Sequence, residues 1–449
     1  MLSRLTILAA LLAAPAVAAE APPKPKPEIA AAVRAVDPAR LRADVEKMVS
    51  FGTRHTLSDR TSPTRGIGAA ERWAAAQFEA ISRDCGGCLE VAVPKQTFTG
   101  RRVPKPTEIG AIVAIQRGTT DPDRVIVITG HIDSRVTDVM DATSDAPGAN
   151  DDASGVAAVF EAARILSKQK FAATLVYAAL EGEEQGLYGG KVLADYAAQR
   201  GWRVEANLNN DIIGNTQGQS GVVDRTNVRV FSEGTKSVET PEQAQARRYN
   251  GGEVDSPSRN LGRFLDRMAE TYVKGLDVEM IYRTDRFGRG GDQTQMLAAG
   301  FPAVRITEAA ENYDRQHQDL RTEAGRKYGD TIEGVDFPYL AQVTRLNVAA
   351  MAAMARAPAP PEGVKIEGAV SADTTISWSL VPGAVAYRVH WRGTTAPQWE
   401  QMRETTGTSL VLKGVVIDDF FFGVSAVSAS GDESPVVFPG PAGSFVSAR

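Results

Sequence analysis

Up to residue 356, short apolar runs alternate along the chain with segments of helical periodicity. Apolar runs rich in β-branched residues and bounded by turn residues predict buried strands of a parallel sheet. The predicted strands are residues 125–128, 174–180, 206–213 and 303–308, and the predicted helices include residues 29–48, 68–81, 154–166, 257–272 and 339–354. This alternation predicts an α/β fold in which helices flank a mostly parallel mixed sheet.

The pattern changes after a proline-rich segment at residues 357–362. Residues 363–449 contain short strands with alternating apolar and polar positions, which predict a small all-β sandwich. The order of Trp378, Tyr387 and the alternating aromatic strand that begins at Phe420 resembles a fibronectin type III module, with Phe420 where such modules usually carry a tyrosine. We expect this C-terminal unit to fold by itself and to contribute no catalytic residue.

The N-terminal residues have the pattern of a secretory signal peptide. Residues 1–19 contain the single charge of Arg4, an apolar run at residues 5–12 and small residues at 16–19. Residues 20–27 form a proline-rich leader, so residues 28–356 are left as the main predicted domain. No run is long and apolar enough to predict a membrane span, and we expect an exported protein, periplasmic or secreted.

Composition narrows the possible partners. The formal net charge is −5, which gives no basic surface for nucleic acid. The two cysteines, Cys85 and Cys88, are separated by two glycines. In an oxidising compartment they predict a local disulfide, and a redox-active cysteine pair is the more specific alternative. The oligomeric state does not follow from the sequence.

Histidine and carboxylate residues follow the predicted strands. The carboxyl ends of parallel strands share one edge of a sheet, so these side chains are expected to meet there. Two imidazoles with several carboxylates suit Zn²⁺, and they exceed what a single ion takes, which favours two ions per chain. A single member could instead cap a helix or bind a backbone group. The candidates are His131, Asp151, Glu183, Glu184, Asp211 and His317.

Four motifs together resemble the superfamily of co-catalytic di-zinc aminopeptidases. They are GHIDS at residues 130–134, PGANDDASG at 147–155, EEQGL at 183–187 and ND at 210–211. The superfamily includes bacterial leucyl aminopeptidases, glutamate carboxypeptidase II and glutaminyl cyclases. The resemblance covers roughly residues 40–355, the size of one domain, and implies a zinc exopeptidase fold.

The resemblance also implies a role for each candidate ligand. His131 and Asp211 would bind one zinc ion, Glu184 and His317 the other, and Asp151 would bridge the two ions.

Other roles follow from the same resemblance. Glu183 would be the general acid and base. Asp133 and Asp292 would support the ligands without touching the ions. Tyr313 and Arg289 are candidates for substrate binding, because a tyrosine can stabilise an oxyanion and an arginine can bind a carboxylate.

The favoured function is an exported zinc aminopeptidase that hydrolyses peptide substrates through a metal-bound hydroxide and the Glu183 base. A carboxypeptidase and a glutaminyl cyclase, which works with one zinc ion, stay open within the same superfamily. A catalytically inactive binding protein is the alternative outside enzymes.

Overall fold

A computed structural model of the protein describes residues 24–445. The predicted signal peptide and the first residues of the predicted leader lie outside the described residues. Within the described range, no helix combines the length and the apolar composition needed to cross a membrane.

The described chain contains ten α-helices and seventeen strands. The helices are α1 (Pro27–Arg34), α2 (Pro38–Val49), α3 (Ile67–Asp84), α4 (Ala153–Leu166), α5 (Glu183–Gly186), α6 (Tyr188–Gln199), α7 (Pro241–Asn250), α8 (Pro257–Tyr272), α9 (Gln293–Ala298) and α10 (Phe337–Arg356). The strands are β1 (Glu90–Ala92), β2 (Lys95–Gly100), β3 (Val103–Gln116), β4 (Asp121–His131), β5 (Ala173–Leu180), β6 (Arg203–Asn210), β7 (Asn227–Phe231), β8 (Asp277–Ile281), β9 (Ala303–Glu308), β10 (Arg321–Glu323), β11 (Arg326–Tyr328), β12 (Lys365–Glu367), β13 (Thr374–Ser377), β14 (Ala384–Gly393), β15 (Gln401–Thr405), β16 (Ser409–Leu412) and β17 (Phe420–Ser428).

The largest sheet has nine strands in the order β1-β3-β5-β4-β6-β9-β7-β8, with β2 paired to β3. Its centre, β5-β4-β6-β9, is entirely parallel, whereas β3 and β7 join it through antiparallel pairings. The carboxyl ends of the four central strands therefore meet at one edge. The predicted α/β class, a mixed sheet flanked by helices, is confirmed.

Alternate residues of β4 face two separate apolar layers. Ile126 and Ile128 pack on the larger layer, which includes residues of α1, α2, α3, α4, α8 and α10. Val125 and Val127 pack on the smaller layer, which includes residues of α6 and α9. Because both faces of the strand are buried, its sequence is continuously apolar.

The helix predicted over residues 29–48 is two helices. Pro38 stands at the first position of α2, and the side chain of Asp37 accepts a hydrogen bond from the Ala39 N–H at 2.9 Å. Proline cannot donate a backbone hydrogen bond inside a helix but fits the first turn, so the chain ends one helix and begins another here.

Cys85 and Cys88 form a disulfide in the turn between α3 and β1. The Ser82 hydroxyl donates to the Leu89 carbonyl at 2.9 Å and accepts from the Leu89 N–H at 3.3 Å. The bond and these two hydrogen bonds fix the turn that leads from the helix into the sheet.

The C-terminal unit consists of two three-stranded antiparallel sheets, β12-β13-β16 and β15-β14-β17. They enclose an apolar core that includes Trp378, Tyr387 and Val424. The Tyr387 hydroxyl accepts a hydrogen bond from the Val381 N–H at 2.8 Å, which satisfies the polar end of a buried ring. The predicted all-β unit is therefore two small packed sheets.

Buried charges join the two units. Asp255 precedes α8, and its carboxylate accepts from Arg263 of α8 at 2.9 Å and from Arg392 of β14 at 2.8 Å. All three side chains are buried. The segment between the units is also held in place, because the Ala357 carbonyl accepts from buried Arg124 at 2.7 Å.

Candidate metal centre

The five predicted metal ligands meet at the carboxyl edge of the central sheet. His131 is the last residue of β4, and Asp211 follows β6. Glu184 lies in α5, directly after β5, and Asp151 lies in the loop before α4. His317 comes from the loop after β9. The parallel strands thus bring together residues that lie up to 186 positions apart.

Asp151 lies between the two histidines. Its Oδ1 is 3.1 Å from His131 Nε2, and its Oδ2 is 2.9 Å from His317 Nε2. Glu184 Oε1 is also 2.9 Å from His317 Nε2. Ligand atoms within 4.8 Å of one another form two groups, His131 with Glu183 and Asp211, and Asp151 with Glu184 and His317.

The donor atoms fit a metal pair. His131 Nε2 is buried and has no hydrogen-bond partner among the described residues, although buried polar atoms are normally paired. Imidazole nitrogens and carboxylate oxygens are the ligands that Zn²⁺ takes in catalytic sites. A carboxylate with one oxygen toward each group is suited to bridge two ions.

Asp133, predicted from the sequence to support a ligand, lies against His131. The backbone carbonyl of Asp133 lies 3.1 Å from His131 Nδ1, and its carboxylate lies 3.4 Å from the same nitrogen. The Asp133 carboxylate also accepts from the Glu183 and Glu184 N–H groups at 3.2 Å each. A proton held on Nδ1 leaves the Nε2 lone pair free for a metal.

Comparison with known proteins identifies the family. The model of peptidase family M28 matches residues 111–333, which contain all six predicted metal and catalytic residues. A probable zinc metalloprotease of Leptosphaeria maculans is 46% identical over 423 residues, 93% of this chain and 98% of the relative. The chain belongs to peptidase family M28. A second probable zinc metalloprotease, from Pyricularia oryzae, is 44% identical over 93% of this chain and 85% of its own length.

Solved structures share the fold of this M28 chain. LapB from Legionella pneumophila superposes with a TM-score of 0.52 at 19% identity, over 75% of this chain and 77% of LapB. An aminopeptidase from an Aneurinibacillus strain gives 0.51 at 14% identity, over 73% and 96%. The family confirms the predicted resemblance and the predicted enzyme class, a zinc metallopeptidase.

The charges of the M28 site shift the pKa values of its carboxylates in opposite directions. Burial raises the pKa of Glu183 well above its usual value, and the nearby Asp211 and Glu184 carboxylates raise it further. Burial would also raise the pKa of Asp151, but the adjacent His317 and His131 outweigh it and hold that pKa well below its usual value. Of these two carboxylates, Glu183 is the one whose pKa is shifted toward proton uptake.

Two arginines form hydrogen bonds with side chains of the proposed ligands, and the sequence analysis missed both. Arg135 Nε donates to Glu184 at 2.8 Å, and Arg135 Nη2 is 2.6 Å from His317 Nδ1. Arg305, fully buried in β9, donates to the Asp211 carboxylate. A charged residue inside an apolar strand was the available signal for Arg305, since such a residue needs a buried partner.

The M28 site opens into a cleft of about 400 Å³. Besides the proposed ligands and Glu183, four arginines line it, from the β2–β3 turn, the segment after β4 and the loop before α9. They are Arg102, Arg135, Arg286 and Arg289. The predicted substrate-binding residue Arg289 therefore lies in the cleft.

Two other predicted residues form no hydrogen bond or ion pair with the proposed ligands among the described residues. Asp292 is buried and accepts from the Gly190 N–H at 3.1 Å, and burial with nearby Asp133 raises its pKa to about 7. Tyr313 does not line the cleft, and its side chain is half exposed. Asp292 thus ties the loop before α9 to α6, and Tyr313 stays a prediction without a contact in the cleft.

Proposed function

We propose that the protein is an exported aminopeptidase that binds two zinc ions. The observation that carries the proposal is the position of Asp151, whose two oxygens face His131 Nε2 and His317 Nε2 at 3.1 and 2.9 Å. A carboxylate in that position would be able to hold two ions. Export rests on the signal pattern of residues 1–19.

The chain's own residues supply the remaining chemistry. Zinc ions held by these ligands would polarise the scissile carbonyl and acidify water. Glu183 lines the cleft beside the ligands, and its raised pKa suits a group that takes and returns a proton. It accepts a proton from water as the water oxygen bonds to the carbonyl carbon. It then delivers that proton to the amine nitrogen as the C–N bond breaks.

A carboxypeptidase is the second candidate, because arginines line the cleft. Arg286 and Arg289 lie in one loop of the cleft wall, and a guanidinium binds a terminal carboxylate well. Peptides with a free amino end and an amidated carboxyl end, and peptides blocked in the opposite way, separate the two activities. A peptide with N-terminal glutamine tests the predicted cyclase alternative in the same assay.

Glu183→Gln tests the proposed proton carrier. The amide keeps the shape of the side chain but cannot take up the proton, so kcat should fall by about 10²–10⁴ while two zinc ions remain bound. Glu108→Gln, at an exposed position of β3, is the matched control and should keep full activity. Peptidase activity near the wild-type level in Glu183→Gln would refute the assigned role. Zinc is counted by elemental analysis.

A further inference from the structure

We propose that the cleft selects peptides with a carboxylate close to the scissile bond, and that Arg102 and Arg289 bind that carboxylate. This inference rests on the proposed zinc peptidase function and adds the class of substrate. The two arginines come from separate segments, the β2–β3 turn and the loop before α9, and both line the cleft that contains the proposed ligands.

The formal charge of the cleft favours an anion. Its four arginines balance its four carboxylates, Asp151, Glu183, Glu184 and Asp211. Two divalent ions bound to those carboxylates would leave the cleft strongly positive. A positive cleft attracts an anionic substrate and repels a cationic one.

Arg102 has N–H donors that are not used within the described part of the protein. Its Nη1 donates to the Glu184 carbonyl at 2.8 Å, and no carboxylate within residues 24–445 lies within ion-pair distance of it. A guanidinium carries five N–H donors, so most of those on Arg102 are open to a substrate.

Arg289 is only weakly engaged. Its side chain is 32% exposed, and it lies 3.4 Å from Glu311 and 3.1 Å from Gln316. Arg135, by contrast, is committed to Glu184 and His317. Arg286 is committed to Asp285 at 3.3 Å and shares Glu311 with Arg289, so Arg102 and the partly exposed Arg289 are the cleft arginines with the most open donors.

The cleft offers a cationic side chain of the substrate no matching partner. The four carboxylates that line it are assigned to metal binding or proton transfer. The next carboxylate, Glu311, is nearly buried and already lies within 3.5 Å of Arg229, Arg286 and Arg289. Recognition of a lysine-like side chain would therefore require an unpaired carboxylate that the described cleft does not provide.

The carboxylate could be an acidic side chain at the amino end or the free carboxyl end of the peptide. Both present the same planar anion to the guanidinium groups. The substrate panel therefore has two arms. One compares N-terminal glutamate with N-terminal glutamine and lysine, and the other compares a free carboxyl end with its amide.

Arg102→Gln is the decisive variant, and Arg101→Gln is its matched control, since Arg101 is an exposed neighbour that does not line the cleft. The wild type should favour the carboxylate member of at least one pair. Arg102→Gln should lower the ratio of kcat/KM between carboxylate and neutral partner by about tenfold or more, mainly through KM. Arg101→Gln should leave that ratio unchanged.

Equal losses on both members of a pair, or a wild type without preference in either arm, would overturn the inference. A binding measurement distinguishes failure of this inference from failure of the proposed peptidase function. In zinc-loaded Glu183→Gln protein, calorimetry should show succinate bound more tightly than propionate, and Arg102→Gln added to that background should remove the difference. If the wild type does not cleave peptides but succinate still binds more tightly than propionate, the proposed peptidase function fails and the anion site stands.

Discussion

Arg135 contacts two ligands of one proposed zinc ion at once. It donates to Glu184 through Nε and lies 2.6 Å from His317 Nδ1 through Nη2. A histidine that binds zinc through Nε2 carries its proton on Nδ1 and needs an acceptor there. Arg135 is a donor, whereas Nδ1 of His131 in the other site faces the Asp133 carbonyl. The charge of Arg135 has its counterpart there in Arg305 on Asp211. The site formed by Glu184 and His317 is therefore expected to be the weaker of the two.

Arg135→Gln should strengthen that weaker site. The glutamine carbonyl can accept from Nδ1–H, and the positive charge is removed, so affinity for the second zinc ion should rise about 10- to 100-fold. Titration with a competing chelator measures both affinities, with Arg101→Gln as the control. A lower affinity for the second ion in Arg135→Gln would show that the arginine supports the site instead.

Residues at the ends of predicted strands could be placed from the sequence, whereas those from distant turns could not. His131 and Asp211 end neighbouring parallel strands, so their meeting follows from the sheet alone. Arg102 reaches the cleft because the β2–β3 turn folds back over the segment after β5, a contact that no local pattern encodes. Tyr313 follows β9 in sequence, but its loop carries it away from the cleft wall.

At the scale of elements, β4 and α4 approach each other to backbone contact. A Cβ atom on Gly130 of β4 would lie 2.6 Å from the Gly155 carbonyl carbon and 2.7 Å from the Val156 nitrogen of α4. Only glycine permits this approach, which holds the start of α4, and the Asp151 loop before it, against the end of the strand.

Gly130→Ala should therefore weaken both stability and zinc binding. Forcing the helix away from the strand should cost about 1–3 kcal/mol of unfolding free energy and displace Asp151. Gly407→Ala is the control, because its new methyl group would meet atoms no closer than 3.7 Å. Urea unfolding and zinc content are the measurements, and two variants with equal stability would contradict the expectation.

Predicted elements matched the structure best where both faces of the element are buried. The runs at residues 174–180 and 303–308 lie within β5 and coincide with β9, because continuous apolar sequence marks a central strand. Strands β8 and β15 were not predicted. Their residues are partly exposed and mix polar with apolar side chains, so only their pairing with β7 and β14 defines them.

At the scale of the molecule, Asp255 neutralises one arginine from each unit. Asp255→Ala would leave Arg263 and Arg392 buried without their counterion, which should cost about 3–5 kcal/mol of unfolding free energy. Asp373→Ala removes an exposed ion pair with Lys413 and should cost far less. Urea unfolding compares the two, and similar losses would show that the buried network adds little.

The C-terminal unit, which the sequence predicts to fold by itself, makes polar contacts with the peptidase unit. No residue beyond 356 lines the described cleft, and the expectation that this unit contributes no catalytic residue stays a prediction. The Pro397 carbonyl nevertheless accepts from Arg263 Nε at 2.8 Å, and Arg388 and Arg267 share Glu433. Hydrogen bonds and ion pairs therefore join the sandwich to the peptidase unit.

The shared carboxylate of Asp255 also limits how the two units can evolve. A foreign sandwich joined to this peptidase would lack the guanidinium of Arg392. Asp255 would then pair with Arg263 alone. Exchange of modules by recombination would therefore cost stability unless compensating changes arose in both halves. The Leptosphaeria relative aligns over 423 residues, too many for the peptidase unit alone, so the similarity extends into the second unit.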